Sequence, residues 1–513
     1  MRTERVVVIG AGMAGLVAAL ELARTGLNVT VVERSAQPGG KLRQAVIEGQ
    51  RIDVGPTVFT MRWVFDEIFA AAGTSVEDHL ALQAVDVLAR HAWRAGGTLD
   101  LFADVNRSAE AIAAFAGAAE GRRFRTFCRD AKRVFDTLDR PFMRAANPGL
   151  VGLVRGVGAK NIDDLWAIRP FTTLWKALGG YFYDVRLRQL FARYATYCGS
   201  SPFAAPATLM LVAHVEQEGV WLVEGGMHRI AEALASLAAA RGATFRYGAE
   251  ATRIHLAGGR VASVELASRE RLPADAVVIN ADAAAIAAGY FGDAVARAVP
   301  PTAPALRSLS AVTWAMVAET RGFPLLRHTV FFSDDYAREF EDIFHHQRLP
   351  RRPTVYVCAQ DRADQAPPEP IGAERLFCLV NAPATGDKGK IDRREIERCE
   401  SEVFQLFQHC GLTVARQTER TVLTTPREFA RLFPATGGAL YGMATHGWKA
   451  SFRRPGPRSR IPGLYLAGGS AHPGPGVPMA ALSGRQAAAS LLQDLVSIKR
   501  SRPVAMRGGT STA

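Results

Sequence analysis

Residues 5–33, RVVVIGAGMAGLVAALELARTGLNVTVVE, leave the chain few folds to choose from. The β-branched run over 5–9 suits a strand buried on both faces, and residues 16–25 carry the apolar period of a helix. Between them lie Gly10, Ala11, Gly12, Met13, Ala14 and Gly15. Gly10 permits the tight turn, Gly12 lets the backbone come against a pyrophosphate, and Gly15 lets helix and strand pack closely, so a diphosphate sits on the helix N-terminus. A second strand over 28–32 ends at Glu33, with Arg34 behind it; the carboxylate is placed to accept hydrogen bonds from adenosine ribose hydroxyls. Strand, helix, second strand and terminal acid stand in register, which separates this motif from an ordinary glycine turn. The expected fold is α/β (α+β) around a Rossmann-like dinucleotide-binding domain.

The next residues choose among dinucleotides. QPGGKLR over 37–43 is a second glycine pair, Gly39 and Gly40, followed by Lys41, and Gly55, Pro56 and Thr57 come soon after. Nicotinamide domains usually continue strand, helix, strand at this point. This chain turns aside into a glycine loop with bases nearby, which favours FAD.

Composition narrows the class further. The 513 residues, 48% hydrophobic and 22% charged, suffice for two or three domains and a large core. Six scattered cysteines show no C-x-x-C and no metal-ligand spacing, so they read as buried thiols of a reducing compartment. A net charge of +13 invites a nucleic-acid reading, but the bases are dispersed and lack interleaved aromatics; an anionic membrane surface fits better. No stretch is long and apolar enough to span a bilayer. The N-terminus runs directly into a strand, so no signal peptide is expected.

With LYLAGGSAHPGPGVP near the end, the motifs make a series: the N-terminal unit, PGGK, RYATYCGSSPFAAPATLMLVAHVEQEGVWLVEGGM, DAVVINAD and TPREFARLFPATGGALYG. In this order they resemble bacterial FAD-dependent carotenoid desaturases of the phytoene desaturase type, over nearly the whole chain to residue 495. The resemblance implies an FAD domain of the glutathione reductase/amine oxidase type assembled from residues 1–75, 220–285 and 455–497. Blocks 76–219 and 286–454 would form the substrate region, of mixed sheet with a helical membrane-facing part, and 498–513 a flexible tail. Within the middle FAD segment the pattern predicts a helix over 227–240 and strands over 244–247, 253–255, 261–266 and 276–279. Ala251 joins the implied cofactor contacts.

The far glycine loop then has a physical reading. A strand over 465–467 delivers Gly468 and Gly469, whose missing Cβ atoms let the diphosphate and ribityl chain lie against backbone. Gly476, Val477, Pro478 and Met479 open a helix whose free amides aim at flavin N1 and O2, where negative charge gathers on reduction. The resemblance brings His472 near the ring. Two roles stay open for it: a part in catalysis, or fixing the loop through a backbone hydrogen bond.

No Ser/His/Asp order, metal cluster or P-loop is present. The resemblance implies a polyene substrate, from whose allylic C–H bond a flavin accepts a hydride at N5, followed by loss of a proton from the adjacent carbon. Orientation in a dry tunnel then matters more than acid or base catalysis. GPTVFTMRWVFDEIF over 55–69 resembles the subgroup acting on 1-hydroxy or 1-methoxy carotenoids in the spheroidene and spirilloxanthin pathways of purple photosynthetic bacteria, which desaturates the C3–C4 bond. Phytoene desaturation is the runner-up. Trp63 joins Arg62 as a candidate substrate contact; Arg62 would bind the polar end group or a flavin phosphate, or be a surface arginine on a helix. The stretch 137–219 mixes Phe142, Leu150, Leu153, Trp166, Phe171, Leu174, Trp175, Tyr181 and Phe182 with Arg and Lys, which suits either an interfacial helix or a plain core. Taken together these features imply a peripheral protein on the cytoplasmic side of a membrane, passing electrons to oxygen or a quinone. A non-enzymatic isoprenoid escort protein of the same architecture, and a flavin amine oxidase, are the alternatives from other classes.

Overall fold

The computed structural model describes residues 4–146, 168–363 and 372–501, with 148, 149, 152, 153 and 155. Leu150, Trp166 and the tail from 502 onward lie outside the described residues.

Its organising element is β1 (Arg5–Ile9), flanked on both sides by parallel partners. The five-stranded sheet runs Leu464–Leu466, Ala276–Ile279, β1, β2 (Asn28–Glu33), Thr244–Tyr247, parallel throughout. Val8 pairs with Val278 on one side and Val31 on the other. Such a strand is covered on both faces, which is why it reads as a continuous β-branched run rather than an alternating one. Three distant stretches of chain supply these strands.

One face is covered by α1 (Met13–Ala23), which packs between the helices His228–Ala240 and Val477–Ser501. Every residue of α1 is buried, as an all-round apolar helix must be. It begins three residues before the apolar period does, because Met13, Ala14 and Gly15 are part of the turn over the dinucleotide motif. The C-terminal helix comes so near that a Cβ on Gly484 would stand 2.3 Å from the Ala14 carbonyl oxygen. The other face carries a three-stranded antiparallel sheet, Ala251–Ala257, Arg260–Leu266 and Arg271–Pro273.

The second unit is an eight-stranded mixed sheet built on the long strand Ser310–Gly322. Its pairings are antiparallel except where His328–Phe332 runs alongside Val87–Trp93. Helix Arg393–His409 covers one face, with Trp314, Phe331 and Phe407 between. Helices Ala118–Leu138, Leu174–Tyr181, Val185–Ala192 and Leu211–Gln217 cover the other. This is the expected Rossmann-like and mixed-sheet architecture.

The mixed aromatic and basic stretch resolves mainly into core. Leu153, Leu174, Tyr181 and Phe182 are buried, and Trp175 packs on Phe203 at 4.9 Å. Phe127, Phe182 and Phe191 form a nest with ring centroids 4.9–5.4 Å apart, each burial contributing about 1.5–3 kcal/mol. Phe171 is different: it is 73% exposed. Among the described residues no helix is long and apolar enough to cross a membrane. All six cysteines are free thiols, with Cys198 and Cys410 only partly buried.

Candidate functional site

At the carboxyl ends of the parallel strands, the first residues beyond each strand face one another. Gly10 follows β1, Asn280 follows Ala276–Ile279, and Ala467 with Gly468 follows Leu464–Leu466. This crevice is where open α/β sheets bind ligands. Asn280 is its centre: its backbone N–H donates to the Ile9 carbonyl at 2.8 Å and Nδ2 donates to the Ala467 carbonyl at 3.1 Å. A Cβ on Gly12 would lie 2.6 Å from Asn280 Oδ1, and one on Gly468 would lie 2.9 Å from Nδ2. Asn280 Oδ1 is buried without a hydrogen-bond partner. A buried carboxamide oxygen left open this way marks a place for a ligand donor or a water.

Glu33 is held rigidly at the end of β2. Its Oε2 accepts from the Ala11 N–H at 2.7 Å and its Oε1 from the Ser35 N–H at 2.8 Å, leaving lone pairs for ribose hydroxyls. Gly39 N–H bonds the Ala11 carbonyl at 2.8 Å, so the second glycine pair is laid directly on the first motif. Lys41 is half-buried; its ammonium donates to the Leu440 carbonyl and lies 5.1 Å from the Phe433 ring, and desolvation pushes its pKa down. Arg34 bonds the Leu432 carbonyl across the same crevice.

One cavity of about 1230 Å³ contains this cradle and continues beyond it. Gly10, Gly12, Met13, Ala14, Glu33, Arg34, Gly39, Gly40, Lys41, Gly55, Pro56, Thr57, Ala251, Gly468, Gly469, Gly476, Val477, Pro478 and Met479 all line it. Ala11 and Gly15 do not: Ala11 braces Glu33, and Gly15 packs the helix so tightly that a Cβ there would meet the Gly10 carbonyl oxygen at 2.0 Å. Past the cradle the walls turn apolar, with Leu138, Phe142, Leu209, Leu211, Val212, Phe377 and Leu379. Phe171 lines the cavity and is also exposed, so it stands at a mouth, stacked edge-on against Trp448 at 5.5 Å.

A glycine-lined cradle of the kind that takes a diphosphate thus opens into a large apolar chamber. The profile of the family described as flavin containing amine oxidoreductase matches residues 13–492. The chain belongs to that family. It is 57% identical over 516 residues to the hydroxyneurosporene desaturase of Rubrivivax gelatinosus, covering 100% of this chain and 98% of that protein. A hydroxyneurosporene desaturase of Cereibacter sphaeroides is 47% identical over 497 residues, covering 97% and 99%. Among solved structures, an oxidoreductase from Methanosarcina mazei superposes with a TM-score of 0.60 at 18% identity, covering 95% of this chain and 100% of that one. This last likeness is one of fold.

For a flavin-containing family member with a dinucleotide cradle, the cofactor is FAD. The residues fit it: glycines lie where Cβ atoms would fill the cradle, an acid stands at the ribose position, and Asn280 Oδ1 is open. The helix Val477–Ser501 begins at the cavity wall, and Ala480 N–H closes its first turn onto the Gly476 carbonyl at 2.8 Å. Pro478 sits in that first turn, where a missing N–H costs nothing.

Besides Ala11 and Gly15, three candidates from the sequence do not line this cavity. Arg62 opens the helix Arg62–Ala71 and pairs with Asp66 at 3.3 Å and with Glu77, the arrangement of an arginine on a helix surface. Trp63 packs against the Rossmann-side core beneath the Arg144 guanidinium, 3.8 Å from its ring. Thr60 and Met61, just before the helix, line the chamber, and the left-handed backbone of Met61 (φ 49°) turns the chain away into the helix that holds Arg62 and Trp63. His472 is buried, and its Nε2–H donates to the Phe142 carbonyl at 2.9 Å while its backbone N–H donates to the Pro455 carbonyl. Burial pushes its pKa down to about 4, so the ring is neutral. This is the backbone hydrogen bond that a loop-fixing role needs, and His472 does not line the cavity.

Other residues gain a role only from the structure. Buried Arg454 donates to the carbonyls of Tyr441, Gly469 and Met443 at 3.1, 3.1 and 2.8 Å, tying the substrate-side loop to the glycine loop. Tyr356 Oη lies 2.6 Å from Thr57 Oγ1 and 2.7 Å from His328 Nδ1. Beyond it, Arg193, Tyr197 and Glu216 line the chamber. DAVVINAD marked the Asn280 segment as a motif, and RYATYC opened another at Arg193 without assigning that residue or Tyr197 a role, whereas no motif covers Tyr356.

Proposed function

We propose that this chain is an FAD-dependent carotenoid desaturase that introduces the C3–C4 double bond into a 1-hydroxy or 1-methoxy acyclic carotenoid such as 1-hydroxyneurosporene, in spheroidene or spirilloxanthin biosynthesis. The observation that carries this reading is the single cavity joining a dinucleotide cradle to a chamber walled by Leu, Val and Phe. Its size and lining suit a long hydrocarbon, and the relatives named hydroxyneurosporene desaturase direct the choice of substrate.

When bound, FAD supplies a hydride acceptor for an allylic C–H bond. The residues of the chain hold and dry the reacting segment. Leu138, Leu209 and Val212 exclude water, so a polyene is oriented rather than activated. Gly10, Gly12, Gly39, Gly40, Gly468 and Gly469 would hold the diphosphate side and Glu33 the ribose, and the helix start at Val477–Met479 would offer its partial positive charge to negative charge on the flavin. His472 and Arg454 position the loops.

Residues 1–75, 220–285 and 455–497 form the FAD domain in this reading, and 76–219 with 286–454 the substrate domain. Phe171, Tyr183 and Val185 are exposed at 73, 67 and 60%, and Phe171 stands at the mouth. They support peripheral docking on the cytoplasmic face of a membrane, where the polyene enters and oxygen or a quinone takes the electrons.

The test is incubation of the purified yellow protein with 1-hydroxyneurosporene and with phytoene. The expected result is a red shift of visible absorption with the first. Desaturation of phytoene only sinks the reading, and a colourless protein that cannot be reconstituted with FAD favours a non-enzymatic isoprenoid carrier.

A further inference from the structure

The apolar chamber contains a charged cluster that a hydrocarbon does not require. Arg193 is half-buried, and it lines the cavity. Its Nη1 donates to Tyr197 Oη at 3.0 Å, and its guanidinium carbon lies 5.3 Å from the ring centroids of both Tyr197 and Tyr356. Tyr197 Oη donates in turn to Glu216 Oε1 at 2.9 Å, and Tyr194 Oη donates to Glu216 Oε2 at 2.8 Å. Burial pushes the Glu216 pKa up. Burial also opposes the charge on Arg193, but the surrounding phenols and Glu216 raise its pKa overall.

Among the described residues Arg193 makes no ion pair, and Tyr197 takes the one hydrogen bond its guanidinium donates. A guanidinium carries five N–H donors, and a carboxylate accepts more than one bond per oxygen. Capacity to donate and to accept therefore remains on one wall of the chamber. Removing two charges from water is costly unless their hydrogen bonds are completed. A water or a ligand must complete them, and a ligand that does so both accepts and donates. An alcohol does both, an ether accepts only, and a hydrocarbon does neither.

We infer that Arg193, Tyr197 and Glu216 form a hydroxyl-recognition subsite, in which the guanidinium donates to the substrate's terminal oxygen and the carboxylate accepts its O–H. The inference rests on the proposed function and adds the means by which the bond is chosen. Tyr356, against which Arg193 stacks, is bonded through Thr57 to the loop Gly55, Pro56, Thr57. That loop is packed on the cradle, since a Cβ on Gly55 would overlap the Lys41 carbonyl at 1.9 Å. The cluster is thus on the cofactor side of the chamber. In a 1-hydroxycarotenoid the oxygen is borne by the carbon next but one to the new double bond. Holding that oxygen here brings the end of the polyene, rather than its middle, against the flavin.

The experiment compares kcat/KM for 1-hydroxyneurosporene and for the same polyene without the oxygen, in wild type, Tyr197→Phe, Arg193→Met and Glu216→Gln. FAD content is read from flavin absorbance in each. Wild type is expected to favour the hydroxylated substrate by about a hundredfold or more, as sites built to bond a substrate hydroxyl do. In the variants that ratio falls by about tenfold or more at unchanged FAD content. Variants that slow both substrates equally, or leave the ratio intact, overturn the subsite alone. Wild type that does not desaturate 1-hydroxyneurosporene overturns the proposed function and the subsite with it. Tyr197→Phe removes a single oxygen, so it keeps the test decisive if the charge substitutions impair folding.

Discussion

The side-chain oxygen of Asn280 stands 2.6 Å from the point that a Cβ on Gly12 would occupy, so the cradle has no room for any side chain at that glycine. Gly12→Ala must push the carboxamide aside, and Asn280 Nδ2 then loses its bond to Ala467, which holds the two glycine loops together. The variant is expected to lose FAD affinity by about tenfold or more, close to 1.4 kcal/mol, while remaining folded. Flavin-to-protein absorbance and fluorescence titration of the apoprotein measure it. Gly15→Ala should behave differently. Its Cβ meets backbone, the Gly10 carbonyl at 2.0 Å, so folding yield and thermal stability should fall first.

His472 is expected to act through its hydrogen bond rather than through proton transfer. His472→Gln, whose amide can donate to the Phe142 carbonyl, should retain FAD and turnover. His472→Ala should lose about 1 kcal/mol of stability. The pH dependence has a definite sign. Burial lowers the pKa from 6.5 to about 4, so the unfolded chain binds this proton first as pH falls. The stabilisation is present above pH 6.5 and is lost progressively as pH drops toward 4. Buried His91 and His328, lowered to about 3, and His446, lowered to about 4, have the same direction. The wild-type Tm should therefore decline steeply between pH 6.5 and 4, and His472→Gln should make that decline shallower by one proton's share. An identical slope in the variant would show that His472 does not titrate this way.

The cofactor half of the site was legible because its determinants are local. Gly10, Gly12, Gly15 and Glu33 belong to one strand–turn–helix–strand unit, and the strands Thr244–Tyr247 and Ala276–Ile279 fall on the residues their β-branched and aromatic runs predict. The substrate half is assembled from contacts between remote segments. Thr57 meets Tyr356 across 299 positions, and Arg193 reaches Tyr356 from another block again. Thr57 and Arg193 each lie in a motif, but no period or spacing shows that these segments meet at Tyr356. Arg62 and Trp63 illustrate the converse. They lie beside residues that do line the cavity, but the left-handed backbone at Met61 (φ 49°) turns the chain there, and the helix that follows carries both side chains elsewhere.

The mixed sheet contains a buried ion pair whose loss should be felt far from the cavity. Arg362 and Glu374 are 5 and 1% exposed and bond at 2.7 and 2.8 Å, with Arg362 also donating to Thr320 Oγ1 and the Leu325 carbonyl. Arg362→Met leaves Glu374 buried without its counter-charge and is expected to cost about 3–5 kcal/mol. Replacing both partners, Arg362→Met with Glu374→Leu, should recover most of that stability. Urea denaturation of the four-member cycle measures the coupling. FAD affinity should change little in any folded member, because neither residue lines the cavity.

Phe171 connects the chamber to its surroundings, being both a cavity wall and 73% exposed. An aromatic ring left in water at the mouth of an apolar tunnel is stable there only at the cost of its hydration, and a bilayer interface removes that cost. Phe171→Glu reverses the preference without touching the cradle. Binding to vesicles of mixed anionic and zwitterionic lipid should weaken by about tenfold or more, by the transfer free energy of a phenyl group. Flotation of holoprotein with such vesicles reads the binding. Desaturation of carotenoid presented in the same vesicles should fall in parallel, while flavin content and Tm stay at wild-type values. Equal flotation of both proteins would remove Phe171 from the docking face. Reduced activity with unchanged flotation would assign it instead to substrate entry.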